Sequence, residues 1–109
     1  MSKFSFIIPV FNEEKTIESV INEIKNEFAK IEFIDDYEII IVDDSSTDKT
    51  KQIVKKFSEV IYLENLNNFG YGYSLKKGIK NSSFPNIVII DGDGTYPVSQ
   101  LSRLLEKYN

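Results

Sequence analysis

Neither cysteine nor histidine occurs anywhere in the 109 residues. That double absence excludes disulfide scaffolds, thiolate nucleophiles, zinc fingers, zinc hydrolase sites, Ser-His-Asp triads and histidine general bases. Chemistry here must run on carboxylates, hydroxyls, lysines or a metal held by oxygen. Positive charge is also short. Against 17 acidic residues stand 13 basic ones, a net charge of −4, so no nucleic-acid partner is expected: the field of the protein would repel a phosphate backbone. Long apolar runs are missing too. Nothing approaches the ~18 to 20 residues of a transmembrane helix. The apolar segment 4–11 is interrupted by Pro9, followed by Asn12-Glu13-Glu14 and without a small-residue cleavage site, which argues against a signal peptide. A cytoplasmic protein is expected.

What is present is an ordinary globular balance, 41% hydrophobic and 28% charged. The length suits one domain with one core. Segments 38–42 (EIIIV) and 87–90 (IVII) are β-branched runs without polar alternation, the mark of strands buried on both faces of a parallel sheet. Segments 4–10 (FSFIIPV) and 60–63 (VIYL) are weaker members of the same set. Ile17, Val20, Ile21, Ile24, Phe28 and Ile31 draw one stripe at a period of 3.6, predicting a helix with Asn12 as its N-cap. A second helix should open near Ser46 or Thr47 and bury Ile53, Val54 and Phe57. A third fits between Gly72 and Lys80, and a fourth from Pro97 should turn Val98, Leu101, Leu104, Leu105 and Tyr108 inward. The order βαβαβαβα, with right-handed crossovers, gives an open, mostly parallel sheet with helices on both faces, a three-layer α/β/α fold. The strand order is expected to be 3-2-1-4.

Ligands of such sheets sit beyond the carboxyl ends of the strands, and there the acids collect: Glu13 and Glu14, then Asp43, Asp44 and Asp48, then Asp91 and Asp93. Glu14 and Asp48 suit a helix start and a turn. For the others, two carboxylates ~5 Å apart at an effective dielectric near 20 repel by about 3 kcal/mol, which calls for a cation or a donor to offset it. Oxygen ligands alone select Mg²⁺ or Mn²⁺. Gly70-Tyr71-Gly72 does not make a dinucleotide fingerprint, since the pattern fails at Leu75; it reads as a turn before a helix or as a backbone-lined wall of the ligand site. IVIIDGDGT is shared in form with haloacid-dehalogenase-type phosphatases, but their further motifs need more than the 14 residues, 96–109, that follow Thr95. A receiver domain also surrounds Mg²⁺ with a double and a lone Asp, yet would have no β-α unit ahead of Asp43-Asp44.

In order, FIIPVFNEEKTIESVI, YEIIIVDDSSTDKT, NFGYGYSLKKGI and IVIIDGDGTYP resemble the signatures of the nucleotide-binding half of family 2 glycosyltransferases, of Rossmann-like GT-A fold. The nearest flavour is the polyprenol- and dolichol-phosphate sugar transferases. The resemblance covers nearly the whole chain and implies a domain, residues 1–109, that binds a UDP- or GDP-linked sugar for transfer to a hydroxyl or polyprenyl-phosphate acceptor. It implies that Pro9, Phe11 and Glu13 enclose the nucleobase, with Phe11 where the family often has Tyr. Val42 and Asp44 touch base and ribose, leaving Asp43 a structural partner. Asp91-Gly92-Asp93 is the DxD motif: Asp93 holds the metal, Asp91 lies near ribose and metal, and Gly92 permits close approach. Thr95 stands where the synthase-like members often place a Gln near the metal. The catalytic base is expected beyond Asn109, so the chain is read as the N-terminal part of a longer transferase, membrane-associated when complete, that binds donor with little or no transfer by itself. The alternatives are a non-catalytic nucleotide-binding module and a Mg²⁺-dependent Asp-phosphorylated domain of receiver or haloacid-dehalogenase type, and an exposed edge of the fourth strand is expected to favour homo-oligomers.

Overall fold

The computed structural model describes residues 2–32 and 34–95. Four strands and three helices alternate: β1 (Ser2–Val10), α1 (Ile17–Phe28), β2 (Ile34–Asp43), α2 (Thr50–Val54), β3 (Ile61–Glu64), α3 (Tyr71–Lys80) and β4 (Asn86–Ile89). The strands are parallel and ordered β3-β2-β1-β4, as expected. The predicted fourth helix, with Pro97, Val98, Leu101, Leu104, Leu105 and Tyr108, lies outside the described residues. Among those that are described, no helix is long and apolar enough to cross a membrane.

The run of apolar residues in β1 and β2 is explained by burial on both faces. Phe4, Phe6, Ile8 and Val10 of β1, with Ile39 and Ile41 of β2, meet the α1 stripe and Val54 of α2. Ile7, Ile40 and Val42 point to the opposite face and pack with Leu63 and Leu75. Successive residues of a strand face opposite ways, so a strand covered on both sides is mostly apolar, and its buried polar residues, Ser5 and Asp43, are hydrogen-bonded.

Two expectations about helix starts are corrected. Thr16, not Asn12, precedes α1; Asn12 takes a left-handed φ of 52°. Its Oδ1 accepts the Thr47 N–H at 2.8 Å and its own N–H donates to Ser46 Oγ at 2.9 Å. Asn tolerates this backbone region, and its short amide serves the neighbouring loop in place of its own helix. The same bonds hold residues 46–48 out of helical geometry, so α2 opens only at Thr50. Ile53, Val54 and Phe57 still reach the core, Val54 fully.

β1 and β4 pair as far as Ile7↔Ile89, and the Ile90 N–H donates to the Ile7 carbonyl at 3.0 Å. Two residues on, the same side of β1 presents Pro9, which has no N–H to continue the ladder. The strands part there, and the gap between their carboxyl ends opens.

α3 lies close on the sheet because Gly78 faces it: a Cβ at this position would stand 2.5 Å from Ile7 Cγ2 and 3.2 Å from Val42 Cγ2, both in fully buried side chains. Alanine gains ~1 kcal/mol of helix propensity over glycine, but overpacking a well-filled core costs ~1 to 3 kcal/mol. Gly78→Ala is therefore expected to lower the urea midpoint despite the better helix former. An unchanged or higher midpoint would show that the sheet yields to α3.

Candidate functional site

The gap contains a cavity of about 340 Å³, at the point where the chain order reverses across β1. Pro9, Phe11 and Glu13 come to it from β1 and its loop, Asp44 from β2, and Asp91, Gly92 and Asp93 from the end of β4. Seven of the residues singled out in the sequence thus share one wall. Two do not. Val42 is fully buried against Ile7 and Ile40, because strand alternation turns it toward α3. Thr95 serves Asp93, donating its N–H at 3.0 Å and its hydroxyl at 2.7 Å to Asp93 Oδ1.

Asp43 and Asp44 are adjacent acids, and both are compensated by donors. Asp43, wholly buried, accepts the Ser46 N–H at 2.9 Å and the Tyr62 hydroxyl at 2.7 Å. Burial, and then that bond to a carboxylate, push the Tyr62 phenol far above its ordinary range. Asp44 accepts from Asn65 Nδ2 at 2.9 Å, the Phe69 N–H at 2.7 Å and the Gly70 N–H at 3.0 Å. The repulsion foreseen for this pair is offset without a cation. The Phe69 and Gly70 amides, proposed to line the cavity, are taken by Asp44, and the α3 residues that line it are Tyr71 and Ser74. Sequence reasoning missed both, since only α3 in place shows which way they face.

The remaining acids are less provided for. Partial burial raises the Glu13 carboxyl, and the charges of Asp93, Asp48 and Asp91 add to it against a weak bond from Thr16. Among the described residues Asp91 has only the Tyr71 hydroxyl, at 3.4 Å. The Thr95 amide and hydroxyl hold the Asp93 carboxyl below the usual range. Gly92 allows this convergence: a Cβ there would lie 2.6 Å from Val10 Cγ1, and its carbonyl accepts the Thr16 hydroxyl at 2.7 Å. An oxygen-only, anionic wall with an acid of raised affinity for protons fits a hard divalent ion. Among the described residues no three acids stand close enough to enclose one.

The family sequence profile described as Glycosyl transferase family 2 matches residues 5–109. Poly(ribitol-phosphate) beta-N-acetylglucosaminyltransferase TarS of Staphylococcus aureus is 36% identical over 98 residues, 85% of this chain and 16% of the relative. GalNAc(5)-diNAcBac-PP-undecaprenol beta-1,3-glucosyltransferase of Campylobacter jejuni is 32% identical over 114 aligned positions, 100% of this chain and 35% of the relative. The chain thus spans 16% to 35% of the length of these two proteins. In structure it resembles glucosyl-3-phosphoglycerate synthase from Mycobacterium tuberculosis, solved in complex with Mn²⁺, UDP and phosphoglyceric acid. That likeness has a TM-score of 0.67 and 28% identity, covering 84% of this chain and 33% of the other.

Asp48 stays outside the cavity and pins its rim, accepting the Glu14 N–H at 3.2 Å, the Thr50 N–H at 2.9 Å and the Thr50 hydroxyl at 2.6 Å. Burial alone would raise its carboxyl, but the Thr50 and Glu14 donors outweigh that and hold it below the ordinary value. A depressed folded-state pKa contributes stability that is present above the unfolded value, ~3.9, and lost as pH falls through the folded one. Asp48→Ala should therefore destabilise the chain at neutral pH, and the difference from the native chain should shrink below about pH 4. Urea midpoints of both proteins at the two pH values check this; a gap independent of pH would contradict it.

Proposed function

The chain belongs to glycosyl transferase family 2, and from that premise we propose that it binds the donor, a UDP- or GDP-linked sugar, in the cavity at the carboxyl ends of β1, β2 and β4. The observation that carries the reading is the convergence of Phe11, Glu13, Asp44, Asp91 and Asp93 on one cavity where the strand order reverses. In this reading Pro9, Phe11 and Glu13 enclose the base, the exposed Phe11 ring giving it an apolar face. Asp44 takes a hydrogen bond from the nucleoside, with Val42 supporting it from the core beneath. Asp91 lies toward the ribose and the diphosphate, Gly92 lets the nucleotide approach β1, and Asp93 is the principal metal ligand, its carboxylate oriented by Thr95. A divalent ion, Mg²⁺ or Mn²⁺, supplies positive charge against the diphosphate leaving group when bound. The resemblance to a synthase solved with Mn²⁺ and UDP supports both ligands.

The acceptor is proposed to be a hydroxyl or a polyprenyl phosphate, the latter in keeping with the undecaprenol-linked substrate in the name of the Campylobacter relative. With a lipid acceptor the complete protein would work at a membrane surface. Within the described residues each carboxylate of the cavity already has a place in donor binding, so the base for a hydroxyl acceptor is assigned to none of them. β4 is an edge strand of the described sheet with Ile89 exposed, and self-association along it is part of the reading.

Calorimetry with UDP and GDP tests the proposal. One of them should bind in Mn²⁺ or Mg²⁺ and bind far more weakly after chelation, because diphosphate and carboxylates repel without the ion. Asp93→Asn should cut metal-dependent affinity by about tenfold or more, a loss typical of a charge-assisted contact, while Asp43→Asn should lower stability and leave affinity in the folded fraction. Affinity indifferent to chelation would remove the metal from the reading. Beryllofluoride binding at Asp91 without nucleotide affinity would favour a phospho-aspartate domain instead. In a donor-turnover assay with a polyprenyl phosphate, the 109-residue chain should stay well below ordinary enzyme rates of ~1 s⁻¹. Turnover at such rates would place the missing base inside it.

A further inference from the structure

Behind the cavity lies a buried polar chain that the reading above does not use. Asn65, the residue after β3, is 2% exposed, and its backbone N–H donates to the Asp43 carbonyl at 2.8 Å, carrying the β2–β3 ladder one step further. Its side-chain Nδ2 donates to Asp44 Oδ1 at 2.9 Å and to Ser74 Oγ at 3.0 Å. Its Oδ1 accepts Lys77 Nζ at 3.2 Å, and the same ammonium donates to the Glu64 carbonyl at 2.9 Å. An ammonium only donates and a carboxylate only accepts. Between the two, the Asn65 amide has one orientation, oxygen toward Lys77 and nitrogen toward Asp44. Both Nδ2 hydrogens are then spent.

The consequence falls on Asp44. Each carboxylate oxygen has about two acceptor positions. Among the described residues, Oδ1 is filled by Asn65 and the Phe69 N–H, whereas Oδ2 receives only the Gly70 N–H. One acceptor position is left over, on Oδ2 of a residue that lines the cavity. We propose that Asn65 is a positioning residue for the nucleoside: its amide, oriented by Lys77, fills Asp44 Oδ1 and leaves Oδ2 as a single directional acceptor for one O–H or N–H of the ligand. Neither Asn65 nor Lys77 lines the cavity, so both act through Asp44. Without the amide, Oδ1 keeps the Phe69 N–H alone, the carboxylate can turn about its broad terminal torsion, and its acceptor directions blur. The inference rests on the cavity taking a nucleotide.

The test uses whichever of UDP or GDP the native chain binds in Mn²⁺, its 2′,3′-dideoxy analogue, and an analogue methylated on the N–H of the base. Against the native chain one analogue should bind on the order of tenfold more weakly, identifying the ribose or the base as the source of the donor. In Asn65→Ala that penalty should shrink to about threefold or less, with the affinity for the weaker analogue nearly unchanged. Lys77→Met, which keeps the aliphatic stem and touches no part of the cavity, should move the penalty the same way and serves if Asn65→Ala does not fold. Lys77→Arg should restore it. Lys76→Met removes the same charge from an exposed neighbour and should keep the full penalty. Absence of UDP and GDP binding by the native chain would overturn the nucleotide reading itself. Binding without a penalty for either analogue, or a penalty intact in the folded variants, would overturn the positioning role alone.

Discussion

The two central strands have no polar face, and this constraint decides where polar chemistry can occur. Phe6, Ile7 and Ile8 in β1, and Ile40, Ile41 and Val42 in β2, are wholly buried, alternately under α1 and α3. An unpaired charge within that layer would cost several kcal/mol. Within the two central strands the half-buried Glu38 is met by the Ser5 hydroxyl, and the acids of the cavity stand at or beyond the carboxyl ends. Pro9 then determines which ends form a cavity: by ending the β1–β4 ladder it separates those strands, whereas β1 and β2 stay in register to Val10↔Asp43.

A cavity between loops keeps its shape only if the loops are held. Here each is tied to another across the sheet. The β1–α1 loop is bound to the β2–α2 loop through Asn12 and through the Glu13 N–H, which donates to Thr50 Oγ1 at 2.9 Å. It is bound to the segment after β4 through Thr16 and the Gly92 carbonyl. The end of β2 holds the β3–α3 loop through Asp44. Most of these bonds join a side chain to a backbone group, so loop positions are fixed by particular residues as well as by the ladder. Such pre-organisation spares a ligand the entropy of ordering the loops on binding.

The fold was legible because its signals are regular: β-branched runs mark β2 and β4, and one stripe of period 3.6 marks α1. The site was legible by position, since acids after strands in an open sheet have one place to meet. What could not be read were interactions between residues far apart in sequence. Asn12 as an N-cap is a sound local reading, overturned by a loop 34 to 36 residues away. Tyr71, Ser74 and Asn65 carry no local signature of function; their roles exist only once α3 lies against β2. Val42 shows the opposite limit. The resemblance assigns it a contact with the ligand, and the pleat of the strand turns it into the core.

The acids also divide by what compensates them. Asp43 and Asp44 receive five donors between them and Asp48 three more, all from the protein. A cation added to these groups would have to displace hydrogen bonds already made. Glu13, Asp91 and Asp93 differ: Thr95 satisfies one oxygen of Asp93, Tyr71 reaches Asp91 at 3.4 Å, and Thr16 reaches Glu13 at 3.5 Å. Three carboxylates facing one cavity with so few donors repel one another, and among the described residues of the cavity this is where added positive charge would be most favourable. Donor satisfaction thus separates Asp43 and Asp48, which do not line the cavity, from Glu13, Asp91 and Asp93, which do, while Asp44 lines it with three donors already in place.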